Sequence, residues 1–107
     1  MKLDVVVIGA CEKEIKDLPE EIRCDFLDAI ARLKEGILLS MPLSRPMPSI
    51  APGVSELRLK DRSGIYRIFY LIRKNDAIYV LHAFKKTTQE TPKKNIEIAK
   101  ARIKRFL

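Results

Sequence analysis

Cysteine occurs twice and histidine once in the 107 residues of this chain. Two cysteines are too few for a disulfide framework or for a tetrahedral zinc site built from thiolates. Cys11 and Cys24 fall in sequence that reads as helical or buried, and both are expected to be small core residues. Cys, His and carboxylates nowhere gather at metal-ligand spacing, so neither a metal nor another cofactor is expected. Long apolar runs are missing as well. None approaches the length of a membrane span, and Val5 to Ala10 is too short for a signal-peptide core, with acidic residues following at once. These absences lead to the expectation of a soluble, cytoplasmic protein with no membrane partner. Glycine-rich phosphate loops and Ser-His-Asp arrangements are also lacking, which removes two common catalytic designs.

What is present is basic charge, unevenly spread. Residues 1–55 hold 7 cations and 9 anions, a net of −2, whereas residues 56–107 hold 14 cations and 5 anions, a net of +9. A charge gradient this steep points to a polyanionic partner such as nucleic acid. With 47% apolar residues the chain can build one modest core, so a single folded domain over residues 1–107 is expected.

Periodicity supplies the elements. Leu3 to Ile8 is a valine-rich run that reads as a buried strand, and Cys11 to Lys16 as a helical turn. Pro19, Glu20 and Glu21 mark a helix start, where proline needs no amide donor and acidic residues meet the positive end of the dipole. Ile22, Phe26, Ala29, Ile30 and Leu33 recur at spacings of three and four as one apolar stripe, and Gly36 is the stop. Residues 40–53 carry prolines at 42, 46, 48 and 52 and read as a surface connection. Ser55 to Lys60 alternates, with Leu57 and Leu59 on one side and Glu56, Arg58 and Lys60 on the other. Asp61 to Gly64 is a hairpin turn, Ile65 to Ile72 a second strand, Arg73 to Asp76 a further turn and Ala77 to Phe84 a third strand. Thr91 and Pro92 then cap a terminal helix with Ile96, Ala99 and Ile103 on its apolar face. The expected fold is α+β: a small mixed or antiparallel sheet of about four strands, with helices packed on one sheet face.

If helices cover one face, the strand polar residues should line the other. Arg58 and Lys60 share that side. Arg67 stands alone in an apolar and aromatic strand, so it requires either a bound anion or a carboxylate partner, for which Glu56 is the candidate. Lys85 and Lys86 follow the third strand and read either as solvated lysines or as cations aimed back across the sheet. Arginine suits phosphate through its planar fork of donors, and clustered cations depress a lysine pKa enough for acid–base work. His82 has the parity of Ile78, Val80 and Phe84, which favours a satisfied core or rim histidine over a catalytic base. Tyr66, Tyr70 and Tyr79 read as sheet packing rather than base-stacking platforms.

Residues 56–70, E-L-R-L-K-D-R-S-G-I-Y-R-I-F-Y, resemble the central hairpin of the RelE/HigB superfamily of bacterial toxins. Residues 80–92, V-L-H-A-F-K-K-T-T-Q-E-T-P, with I-E-I-A-K-A-R after them, are similar to the end of its phage-derived, HigB-like branch. L-P-E-E-I-R at residues 18–23 resembles that branch's first helical region. The resemblance implies a RelE-like fold and a ribosome-dependent, metal-free mRNA endonuclease, the toxin of a type II toxin–antitoxin pair. It implies catalytic roles for Arg58, Lys60, Arg67 and Lys86, with Arg67 at the transition state. Lys85, Arg62, Lys93 and Lys94 would contact RNA, and His82 is an alternative acid or base. Implied partners are the ribosome, mRNA and a cognate antitoxin, a small helix-turn-helix protein. RelE itself carries a tyrosine near its C-terminus that Q-E-T-P-K-K-N-I lacks, so base and acid stay unassigned. The competing classes are a ParE-like toxin acting on DNA gyrase, which would lack the catalytic cations, and a module that only binds RNA or antitoxin.

Overall fold

The computed structural model describes residues 3–73, 77–87 and 92–107. The Arg73–Asp76 turn, beyond Arg73, and the Thr91 cap lie outside the described residues. The elements run β1 (Asp4–Val7), α1 (Cys11–Lys16), α2 (Glu20–Lys34), β2 (Ser44–Pro46), β3 (Val54–Asp61), β4 (Gly64–Ile72), β5 (Ala77–Lys86) and α3 (Lys93–Phe106). The sheet has five strands in the order β1-β5-β4-β3-β2. Only β1 and β5 pair in parallel; the other neighbours are antiparallel. The α+β reading holds, with one strand more than expected.

The additional strand lies in the proline-rich connection. Ser44, Arg45 and Pro46 pair with Leu57, Glu56 and Ser55. Sequence periodicity misses it because it is three residues long and contains proline, which a sheet accepts only where no ladder donor is needed, as on an edge. β1 is likewise an edge strand. Val5 and Val7 turn inward while Asp4 and Val6 face out, so the expectation of a fully buried strand is corrected.

α2 ends as its glycine predicts. Gly36 adopts φ +86, and the amides of Gly36 and Ile37 donate back to the carbonyls of Leu33 and Arg32 at 3.0 Å each. That pair of bonds is a Schellman closure, which a residue with a Cβ enters only at a cost. The β3–β4 hairpin is equally local. Asp61 pairs with Gly64, and the Asp61 carboxylate accepts from the Ser63 amide at 2.7 Å and hydroxyl at 2.6 Å, an Asx turn that closes the loop. The Ser63 hydrogen bond holds the Asp61 carboxyl below its usual range.

Helices cover both faces of the sheet, not one. α1 and α2 press Cys11, Ile22, Phe26, Ile30 and Leu33 onto Leu57, Leu59, Ile68, Ile78 and Val80. α3 lays Ala99, Ile96 and Ile103 against Phe69, Leu71 and Leu81 on the other side. A sheet five strands wide is too broad for one helix. α3 packs mainly on β5, and Met47 and Ile50 cover Val54 and Leu71 beside it, which leaves the hairpin end of β3 and β4 on that face to polar side chains. Cys11 is buried as expected, and burial, reinforced by the Glu14 charge, pushes its thiol up to about 12. Cys24 is exposed on α2, so its assignment to the core is corrected. Among the described residues no helix is long and apolar enough to cross a membrane.

Candidate active site

The half-face left open by α3 is where the cations collect. Register, not sequence proximity, assembles them. Arg58 on β3 lies directly opposite Arg67 on β4, Lys60 opposite Ile65, and Ile65 opposite Lys86 on β5. Alternation therefore turns Arg58, Lys60, Arg67 and Lys86 to the same side. Beneath them sits Glu56, fully buried and two residues before Arg58 on that side. Arg67 Nη1 donates to Glu56 Oε1, and Arg45 Nε on β2 donates to the same oxygen at 3.1 Å. One carboxylate thus anchors two guanidinium groups, and the cluster keeps a net positive charge.

Its members differ in access. Arg67 is only 1% exposed, whereas Arg45 is 39% exposed. Burial lowers the Arg67 pKa, with the Glu56 charge and hydrogen bond opposing that shift; an arginine keeps its proton regardless. Arg58 is half-buried and Lys60 exposed. Lys86 is half-buried, and its ammonium pKa is lowered, by burial first and then by the charges of Arg67 and Arg58. Neighbouring cations bring an amine nearer to the range where it can exchange a proton.

The remaining sites named from the sequence fall elsewhere. Lys85 is on the opposite face from Lys86. It pairs with Tyr66, its Nζ lies 6.0 Å from that ring, and it borders a cavity of about 410 Å³ lined also by Glu14 of α1 and by Asp17, Leu18 and Pro19 between α1 and α2. Alternation along β5 separates two lysines that are adjacent in sequence. Arg62 is exposed at the hairpin tip, and Lys93 and Lys94 are exposed on the first turn of α3.

His82 requires a correction of parity. Phe69 pairs with His82 but Tyr70 pairs with Val80, so Leu81 is an extra residue in β5. Such a bulge reverses the alternation beyond it. His82 therefore leaves the side of Ile78 and Val80 and stacks on Phe84, with ring centroids 5.1 Å apart. It is 4% exposed. Nδ1 donates to Glu14 Oε1 at 2.9 Å, and Nε2 meets Asn95 Oδ1 at 2.7 Å. Arg102 grips Glu14 with both terminal nitrogens, at 2.7 and 2.9 Å, and also donates to the Leu81 carbonyl. The Ala83 amide donates to Glu14 as well, at 3.1 Å. Burial would raise the Glu14 pKa, but the hydrogen bonds from His82, Arg102 and Ala83 outweigh it and bring it down to about 2. Its carboxylate in turn raises the Arg102 pKa. This network ties α1, β5 and α3 together and engages both nitrogens of the one histidine.

Sequence reasoning missed Arg45, Glu14, Asn95 and Arg102. Arg45 was hidden in a connection read as surface loop. The other three are ordinary helix residues, and nothing in their local sequence names a partner on β5. The apolar face of α3 offered one signal: Arg102 lies three residues after Ala99 and beside Ile103, so its stem had to run along the core.

Comparison with known proteins agrees with the architecture. The chain covers the full length of a free-state structure of E. coli toxin RelE, an arginine-to-alanine double mutant, and is itself covered in full, with a TM-score of 0.60 and 18% identity. No curated protein matches the chain. The family described as Phage derived protein Gp49-like (DUF891) matches residues 13–104. On that match, which takes in both helical layers and four of the five strands, the chain belongs to the phage-derived Gp49-like family.

Proposed function

We propose that this chain is the toxin of a type II toxin–antitoxin pair, of the HigB-like branch, and that it cleaves mRNA on the ribosome without a metal. The observation that carries the reading is the cationic half-face, where Arg58, Lys60 and Lys86 reach solvent around the Arg45–Glu56–Arg67 anchor. The RelE likeness supports the fold that would present such a face.

In this reading the RNA backbone lies across β3 and β4. A scissile phosphate sits among Arg58, Lys60 and Lys86, whose charge meets the negative charge that grows on the phosphorane-like transition state. Lys86, with its lowered pKa, exchanges the proton with the 2′-hydroxyl or the leaving oxygen. Arg67 contributes its field from beneath and touches phosphate only when the side chains covering it part. Glu56 fixes Arg67 and Arg45, so the charge is positioned before RNA arrives. His82, enclosed by Glu14, Asn95 and Phe84, is assigned to structure rather than to proton transfer. A cognate antitoxin, a small helix-turn-helix protein with an acidic segment, would neutralise the face by folding onto it.

Induced expression without a partner tests the reading. Growth arrest with new mRNA 5′ ends inside translated frames is the expected result. Intact mRNA with inhibited gyrase supercoiling would replace it with a ParE-like action. Intact mRNA and normal supercoiling, with RNA still bound, would leave a module that only binds.

A further inference from the structure

Beside the cationic face, where the sheet turns over its β3 edge, lies a cavity of about 360 Å³ lined by Pro42, Leu43, Arg58, Leu59, Lys60 and Ile65. Two of its six residues, Arg58 and Lys60, belong to the cationic face, and the rest of its wall is apolar. Ile65 is 41% exposed there, next to two cations. β2 pairs β3 only as far as Leu57. The Arg58 amide is still held by the Leu43 carbonyl at 2.8 Å, and β3 then runs on to Asp61 along the sheet edge. In an antiparallel strand the backbone groups of alternate residues face the same side. Lys60 therefore offers its N–H and C=O along the edge that borders the cavity.

We infer that this cavity receives a nucleobase of the bound RNA, next to the phosphate held by Arg58 and Lys60, and gives the protein a base preference. The inference rests on the RNA-cleaving reading of the cationic face and adds a specificity site to it. The chemistry fits a base in three ways. Apolar walls formed by Pro42, Leu43 and Ile65 can sandwich a flat ring. A donor and an acceptor from one backbone residue can pair with a base edge, as single-stranded recognition requires. The two cations at the rim fall where the flanking phosphates of that nucleotide would lie, which a free apolar ligand would not need.

Two measurements on the full chain test this. In the first, backbone amide shifts are followed on titration with AMP, GMP, CMP and UMP, and separately with ribose 5-phosphate, which has no base. At least one nucleotide should shift Leu43, Lys60 and Ile65 beyond the effect of ribose 5-phosphate. Equal shifts from all five compounds, or none from any, would overturn the inference. In the second, wild type and Ile65→Trp act on ribosomes programmed with mRNA carrying a randomised A-site codon. Ile65 is half out of the fold, so tryptophan fills the cavity without disturbing the core. The variant should lose the base preference beside the cut by roughly tenfold, read as the ratio of cleavage at favoured and disfavoured codons within one reaction. Cleavage with unchanged preference would overturn the inference. Base-dependent shifts in a protein that cleaves nothing would keep the cavity and discard the nuclease reading.

Discussion

Arg67 holds the sharpest question at the scale of one residue. Its guanidinium is sealed from water and bound to Glu56, which Arg45 also holds. Removing it by Arg67→Ala takes one guanidinium from a buried carboxylate, and the loss of stability should be about 2–4 kcal/mol. Arg67→Lys keeps the charge and loses the fork, so it should cost less than half as much while still depressing cleavage. Melting temperature and mRNA cleavage measured on both variants separate the roles: a low-melting variant that cleaves normally when folded would make Arg67 purely structural. Lys86 admits a cleaner test because it is partly exposed. Lys86→Arg preserves the positive charge but cannot release a proton near neutrality. RNA affinity should stay within about twofold, and the cleavage rate should fall by about 10²-fold or more. A rate that survives the change would leave Lys86 only its charge.

At the scale of elements, the clamp joining α1, β5 and α3 decides where the open half-face ends. Glu14 has an ordinary pKa of 4.5 and a folded value of about 2. A depressed carboxylate stabilises the fold fully above the ordinary value and loses that contribution as pH falls through the folded one. Acid unfolding should therefore show a proton uptake between about pH 4.5 and 2 that belongs to Glu14. Glu14→Gln should remove that pH dependence and cost about 2–3 kcal/mol at neutral pH, with α3 amides exchanging faster than those of α2. Denaturant midpoints measured from pH 2 to 7 on both proteins check this, and parallel curves would show that Glu14 does not anchor α3. The β5 bulge belongs to the same scale. It lets Leu81 and His82 both serve the α3 side, one packing and one hydrogen bonding, while Ala83 returns to the α2 side.

Across the whole molecule, charge and layer thickness act together. The +9 of residues 56–107 is concentrated in strands and α3, whereas the two helices behind the sheet together carry only −1. An RNA strand crossing the open half-face would release counterions from about four phosphates, so log affinity should fall with log salt at a slope of about −3. Ribosome or single-stranded RNA binding measured between low and high salt gives that slope. A slope near zero would place the interface away from the cations.

Much of this was legible in the sequence because it is local. A period of 3.6 marks α2 from Ile22 to Leu33, and a glycine in reach of its last carbonyls marks its end. A period of two puts Arg58 and Lys60 on one side of a strand before any partner strand is known. The hairpin turn is written in Asp61 and Gly64 for the same reason. What tertiary structure alone decided depends on register between strands and on contacts across the core. Periodicity along β5 predicts His82 beside Val80; only pairing with β4 reveals the bulge that turns it to α3. Glu14 and Arg102 are 88 positions apart, and nothing local in either helix names the other. Arg45 joins the site because three residues of a proline-rich segment add themselves to an open edge beside Glu56. Covalent neighbours fix alternation and helical stripes, but long-range closure chooses which stripes meet. Local pattern therefore sets every element but β2 and the sign of the surface, and long-range pairing chooses which cations share a carboxylate and which, like Lys85, are carried to the other side.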